Sequence, residues 1–212
     1  MLTAAILAGG RATRFGGRDK SALVIEGRTI FDRQMSELSQ IAGEILFVRA
    51  EAFPGLPDPR PGVRMVADLM PGCGPLGGLH AALMAARGDV IVVVACDMPY
   101  VSAPFLAHLA SLAGEPDASV RAGEPDSFVA VVPQTERGYH PLCAAYTRAA
   151  IEPIERRLAA GRLTMTDLLT DLRLRVVAPD EIALFGDPHQ LLANVNTPAE
   201  HRSLEALHNH EV

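Results

Sequence analysis

Lysine is all but missing from this chain: one residue, Lys20, stands against 18 arginines in 212 residues. Codon bias toward arginine accounts for the 18 and leaves the one lysine unexplained. A compact ammonium held where a planar guanidinium would not fit is a physical reason for its survival. An excess of positive charge is missing too, since the formal net charge is -6 at pH 7 and charged residues make up 21% of the chain. That excludes the basic footprint of a nucleic-acid binder and the composition of a disordered acidic tail, so an anionic ligand would need a locally basic pocket. Cysteine is scarce: Cys73, Cys96 and Cys143 lie far apart, with no C-x-x-C spacing for zinc and an odd count that suits no disulfide framework. They read as reduced thiols in a cytoplasm. No apolar run approaches the roughly 18 to 20 residues of a membrane span, and Met1 to Ala8 carries no positive n-region, so the expectation is a soluble, cytoplasmic protein with no membrane partner. Repeats and low-complexity segments are absent. What is present is 49% hydrophobic, enough for a sizeable core in a single domain, 1–212.

The apolar residues fall into short runs. Thr3 to Ala8 ends in Gly9-Gly10, and further runs occupy Ile45 to Val48, Val63 to Ala67, Val90 to Ala95 and Phe128 to Val132. They are continuous rather than alternating, as strands covered on both faces should be. Between them lie residues with helical spacing: Phe31, Met35, Leu38 and Ile41 after the cap-like Thr29, then Leu79 and Leu83, then Phe105, Leu106, Leu109 and Leu112 after Ser102. The alternation predicts an α/β fold around a largely parallel sheet. Between Ala118 and Tyr146 the rhythm breaks, because Phe128 to Val132 and Leu142 to Tyr146 flank the polar segment Gln134 to His140; an antiparallel, hairpin-like addition is predicted there. Downstream, the pattern predicts a helix from about Glu152 to Ala160 with Pro153 near its start, a helix capped by Thr164, a strand near Leu174 to Val177 and a last helix opened by Thr197-Pro198. Pro54 to Gly62 reads as a surface loop.

Directly after the first run, the segment from Leu7 to Lys20 holds four glycines, three arginines and the only lysine. Glycines let backbone N–H groups approach phosphate oxygens and the cations neutralise them, so this is an anion cradle by composition, the alternative being a solvated glycine turn. It is not a Walker A loop, because Asp19 rather than glycine precedes Lys20, and it lacks G-x-G-x-x-G. Asp68 follows the run Val63 to Ala67, and Asp97 follows Val90 to Ala95 with only Cys96 between. In a parallel sheet these two and the glycine loop converge at the carboxyl edge, where α/β sheets bind ligands. A carboxylate at a strand end beside a phosphate cradle suits Mg²⁺; a turn or cap role is the alternative for each aspartate alone. The loop Pro71 to Gly78 is a second glycine-rich segment opening a helix, suited to close approach of a ligand, the alternative being a stiff connector. Asn194 to Pro198 holds two of the three asparagines, where one could cap a helix, and His140-Pro141 stands beside the predicted hairpin. His208 and His210 read as an exposed tail.

Leu7-Ala8-Gly9-Gly10, Arg14, Gly16-Gly17, Asp19-Lys20, Asp68, Gly74 to Gly78, Cys96 to Tyr100, His140-Pro141 and Asn194 to Pro198 together resemble the MobA-type molybdenum cofactor guanylyltransferases, in the family's order and from residue 3 to about 205. The resemblance implies a Rossmann-like, three-layer sandwich of the GT-A nucleotidyltransferase type, and transfer of GMP from GTP to the terminal phosphate of molybdopterin with release of pyrophosphate. By motif position, Leu7, Ala8, Gly9 and Gly10 would contact the guanine nucleotide, Lys20 its phosphates, Asp68 the nucleotide, and Asp97 both nucleotide and Mg²⁺. Lys20, Asp97 and Arg14 would be catalytic, and Asn194, Asn196 and His140 would face the pterin. The partners implied are GTP and molybdopterin, with transient contact to proteins that deliver molybdopterin or mature molybdoenzymes. Three departures show: Val48-Arg49 where the family often has asparagine, and Phe15 and Thr13 in place of Met and Ser. Cytidylyltransferases of the same cofactor are similar but typically carry alanine at the position of Gly9, and sugar-phosphate transferases usually have Pro-Lys in a longer loop. A non-catalytic GTP-binding partner that keeps the fold is the alternative from another class, against which Lys20 and Asp97 argue.

Overall fold

The computed structural model describes residues 1–8, 20–49, 62–70, 72–115 and 127–195. The predicted helix after Thr197-Pro198 lies outside these residues, as does the loop from Pro54 up to position 61. Every residue from Thr3 to Leu7, and from Ile91 to Ala95, is buried. Runs that are apolar at every position are stable only between two covering layers, and that is where they lie. The chain runs β1 (Leu2–Leu7), a short hairpin of β2 (Val24–Ile25) and β3 (Arg28–Thr29), α1 (Ile30–Ile41), β4 (Glu44–Arg49), β5 (Val63–Ala67), α2 (Gly74–Ala85), β6 (Val90–Ala95) and α3 (Ala103–Ala113). It continues through β7 (Ala130–Thr135), β8 (Gly138–Tyr139), β9 (Cys143–Thr147), α4 (Ile151–Ala159), α5 (Met165–Leu168), β10 (Leu174–Val177), α6 (Pro179–Ile182) and α7 (Pro188–Leu191).

The main sheet has the order β10-β7-β9-β6-β1-β4-β5, with β8 paired to β7. Strands β6, β1, β4 and β5 are mutually parallel; β9 is antiparallel to both β6 and β7, and β10 is parallel to β7. The mostly parallel sheet and its antiparallel addition are therefore as the apolar pattern predicts. Alternate strand residues separate two cores. Ala5, Leu7, Ile91 and Val93 pack with α2, α4 and α5 on one face. Ala4, Ile6, Val92 and Val94 pack with α1, α3 and α7 on the other. That is the three-layer arrangement. Among the described residues no helix is long and apolar enough to cross a membrane.

Three local readings change. Strand β5, expected to be covered on both faces, is the edge strand, with Met65 44% exposed. Its run of apolar residues is broken by Arg64, whose guanidinium reaches Glu44 at 2.8 Å. The glycines at 74–78 are not a loop before a helix: α2 begins at Gly74 itself. Ser102 sits at the N-cap of α3 but makes no capping bond there; the Glu37 carboxylate of α1 accepts from the Ala103 N–H instead, at 2.8 Å.

Candidate active site

Leu7, Val48 and Ala95 stand side by side at the carboxyl ends of β1, β4 and β6, and Arg49 pairs with Ala67 at the end of β5. From β1 the chain crosses to β4 through α1 on one face; from β5 it returns over β1 to β6 through α2 on the opposite face. The strand order thus reverses between β1 and β6. Ligands of open α/β sheets bind in the crevice outside such a reversal. Ala8 flanks it on one side, and Asp97 on the other. Backbone bonds draw the two sides together: the Cys96 N–H donates to the Leu7 carbonyl at 3.1 Å, and the Ala8 N–H to the Val48 carbonyl at 2.8 Å.

Asp97 rides on a tight turn in which the Met98 N–H returns to the Ala95 carbonyl at 3.3 Å. The Asp97 carbonyl accepts from the Val195 N–H at 2.9 Å, which brings the Asn194 segment against the turn. From below, the Gln34 carboxamide of α1 donates to the carbonyls of Ala95 at 2.7 Å and Met98 at 3.0 Å. One residue earlier, Arg33 donates to the Ile25 carbonyl in the β2–β3 hairpin and pairs with Glu26 at 2.5 Å. The Tyr100 hydroxyl, just past the turn, donates to the other Glu26 oxygen at 2.9 Å. Burial and the Glu26 carboxylate push the Tyr100 phenol up to about 12. A small apolar cluster of Ile25, Ile30 and Val195, with Leu23 and Tyr100 against it, closes the assembly. So the chain just after Lys20, the Asp97 turn and the Asn194 segment are one packed unit. Lys20 itself opens the 3-10 turn Lys20–Ala22.

Asp68 stands at the end of β5, across β4 and β1 from Asp97. With neighbouring strands about 4.8 Å apart, three spacings place the two aspartates on the order of 14 Å apart, the span of a nucleotide rather than of one metal ion. The Asp68 N–H donates to the Arg49 carbonyl at 2.6 Å, and its Oδ1 accepts from the Met70 N–H at 2.9 Å, so it also forms the turn into α2. A side chain at Gly77 would meet that carboxylate at 2.9 Å. Gly77 is what allows the helix to approach so closely. At Gly78 a side chain would meet Leu7 only in ordinary contact, at 3.8 Å. At Arg49, where the resemblance leads one to look for asparagine, the guanidinium lies 5.7 Å from the Phe47 ring centre, on the α1 face.

His140 and Asn194, far apart in sequence, line one cavity of about 380 Å³ together with Met98, Tyr139, Thr164 and Thr166. The cavity adjoins the end of β6, where the Ala95 N–H donates to the Leu142 carbonyl at 2.8 Å. His140 Nε2 lies 2.9 Å from the Thr135 hydroxyl. Burial, assisted by Arg137, lowers its pKa from the ordinary histidine value, which favours the neutral ring. Thr164, read from sequence as a helix cap, makes no capping bond and faces the cavity. Gln34, Tyr139 and Thr166 escaped the sequence reading. Only the placement of a glutamine among the apolar spacings of α1 could have signalled one of them. Gly9, Gly10, Arg14 and Asn196 lie outside the described residues.

Among the described residues no group of three or more His, Cys, Asp or Glu side chains is placed to hold a metal ion. The donor set fits a different mode. Asp97 offers a half-buried carboxylate with its Oδ1 buried, and magnesium is held by one or two carboxylates with substrate phosphates and water.

Asp97 at a reversal of the strand order, beside a cavity, is the arrangement in which open α/β enzymes bind their ligands. The chain belongs to the MobA-like NTP transferase domain family, whose model it matches over residues 4–181, and it is a nucleotidyltransferase. A protein of Desulfosudis oleivorans named molybdenum cofactor guanylyltransferase is 29% identical, over 97% of this chain and 95% of that protein. The crystal structure of molybdopterin-guanine dinucleotide biosynthesis protein A from Archaeoglobus fulgidus superposes with a TM-score of 0.74 at 23% identity, covering 98% of this chain and 99% of that one. A nucleotidyl transferase from Methanothermobacter shares the fold with a TM-score of 0.63 at 20% identity, over 100% of this chain and 99% of that one.

Proposed function

We propose that this protein, acting as a single domain over 1–212 in the cytoplasm, transfers GMP from GTP to the terminal phosphate of molybdopterin. The name of the Desulfosudis relative supports the substrates. The observation that carries the reading is the junction at Met98: the Asp97 turn at the strand reversal opens directly onto the cavity lined by His140 and Asn194. A donor nucleotide in the crevice and an acceptor in the cavity then meet at Asp97.

In this reading Leu7, Ala8, Gly9, Gly10 and Asp68 hold the guanine nucleotide, and Arg14 and Lys20 neutralise its phosphates. His140, Asn194 and Asn196 orient the pterin, the neutral imidazole being able both to donate and to accept along a heterocycle edge. Asp97 binds nucleotide and a divalent cation, Mg²⁺, which when present supplies charge neutralisation on the triphosphate oxygens. The acceptor phosphate oxygen forms a bond to the α-phosphorus as the bond to the bridging α–β oxygen breaks, and pyrophosphate leaves. The attacking phosphate is already ionised, so no base is needed, and catalysis is positioning plus charge stabilisation. No covalent enzyme intermediate forms. With GTP labelled at the α-phosphate, pyrophosphate release should require molybdopterin and the protein should remain unlabelled; label retained on denatured protein would refute the direct transfer.

A further inference from the structure

Gln34 occupies a position that the helix pattern assigns to an apolar residue. Ile30, Gln34 and Leu38 form one stripe of α1, at spacings of four, and all three have 0% exposure. A buried carboxamide costs stability unless its polar atoms are bonded. Here both bonds come from Nε2, to the Ala95 and Met98 carbonyls, while Oε1 is buried with no hydrogen-bond partner among the described residues. The amide is present for its donors. The two carbonyls it holds bracket Cys96 and Asp97, the central residues of the turn, whose own closing bond is long at 3.3 Å. Further backbone bonds of the turn go outward, to Leu7, Leu142 and Val195. Gln34 is the side chain that pins both shoulders of the turn to a rigid helix.

We propose that Gln34 is a positioning residue for Asp97: by holding the Ala95 and Met98 carbonyls it sets the turn that aims the Asp97 carboxylate at the metal and nucleotide. The inference rests on the reading of Asp97 given above. It adds a determinant of the reaction that touches neither substrate. A carboxylate mis-aimed by a fraction of an ångström binds nucleotide much as before but stabilises the transition state less, so the effect belongs in kcat and in metal dependence.

The test compares Gln34→Met, Gln34→Glu, Asp97→Asn and the Gln34→Met/Asp97→Asn double variant, with Ile41→Val as a core control on the same helix. Met matches the length of glutamine and donates nothing; the Glu variant, buried against two carbonyls, is held protonated and returns one donor. The expected results for Gln34→Met are a kcat roughly ten- to hundredfold lower, a raised Mg²⁺ requirement and a GTP KM within about threefold. Gln34→Glu falls between it and the parent and serves in its place if the Met variant does not fold. Amide hydrogen exchange at Met98 and Val195 quickens in the Gln34 variants and not in Ile41→Val, a readout independent of activity. The double variant is no slower than Asp97→Asn, because the two act through one group. Asp97→Asn with normal turnover overturns the reading of Asp97. If instead Asp97→Asn is crippled while Gln34→Met keeps parental kcat and metal dependence, or the two losses multiply, the positioning role of Gln34 is overturned and Asp97 stands.

Discussion

Lys20 is the residue whose identity, beyond its charge, the account makes most exposed to test. It opens the 3-10 turn that leads into the hairpin packed against the Asp97 turn. In the function proposed above, a thin-stemmed point charge suits a glycine cradle that a planar fork would force open. Lys20→Arg should therefore lower kcat/KM by roughly ten- to hundredfold, the loss of one charge-assisted contact that strengthens in the transition state. Steady-state kinetics with circular dichroism to confirm folding checks it, and activity within about twofold of the parent would make Lys20 a bystander. At this scale the sequence was most readable where unusual residues gather. Asp68 and Asp97, each placed after an apolar run, stand just past the ends of β5 and β6. It was least readable where a common residue sits in an expected helix: Gln34 betrays itself only by lacking an apolar side chain, and its partners are carbonyls, which carry no sequence signature.

Two elements carry a contact that can be broken singly, one at the carboxyl edge of the sheet and one at the amino edge. The first turns of α2 lie against Asp68 because Gly77 has no side chain; a methyl there would come within 2.9 Å of Asp68 Oδ1 and 3.1 Å of the Met70 carbonyl. Gly77→Ala should destabilise the protein by about 1–3 kcal/mol through overpacking, read as a lower Tm, and should weaken GTP binding if Asp68 is displaced. At the opposite edge Glu44 of β4 gathers the Thr3 hydroxyl at 2.9 Å, the Arg87 N–H at 2.8 Å and the Arg64 guanidinium at 2.8 Å. Burial works to raise its pKa, but these hydrogen bonds outweigh it and the net shift is downward. A carboxylate whose folded pKa lies below its unfolded value binds fewer protons when folded. The stability it contributes is present above the ordinary glutamate range and is lost as pH falls through the folded value. Glu44→Gln should cost on the order of 1–3 kcal/mol at neutral pH and flatten the acid limb of the stability profile below about pH 4.5, as urea titrations across pH would record; an unchanged profile would mean that the network is incidental. The long apolar runs made β1, β4, β6 and β9 readable. The β2–β3 hairpin was not, because Glu26-Gly27, both at positive φ, is a turn without the usual asparagine or aspartate signal. Nor was the edge position of β5, since pairing order is set by tertiary packing.

For the whole molecule the sheet order matters more than any one strand. Reversal between β1 and β6 converts scattered motifs into a single edge, and the antiparallel β9 brings His140 to the side of Asp97. Sequence spacing could anticipate convergence at a carboxyl edge, but only the resemblance grouped His140 with Asn194, because neither the hairpin nor the chain after α7 announces where it docks. The central claim is that the edge takes a guanine nucleotide and the cavity takes molybdopterin. The most direct measurement is the initial rate of dinucleotide formation with GTP, CTP and ATP side by side, with molybdopterin as acceptor and Mg²⁺ present. GTP should lead by roughly tenfold or more in kcat/KM, as a site that hydrogen-bonds one base rejects the others. Equal use of CTP, or turnover of GTP with no product on molybdopterin, would contradict it.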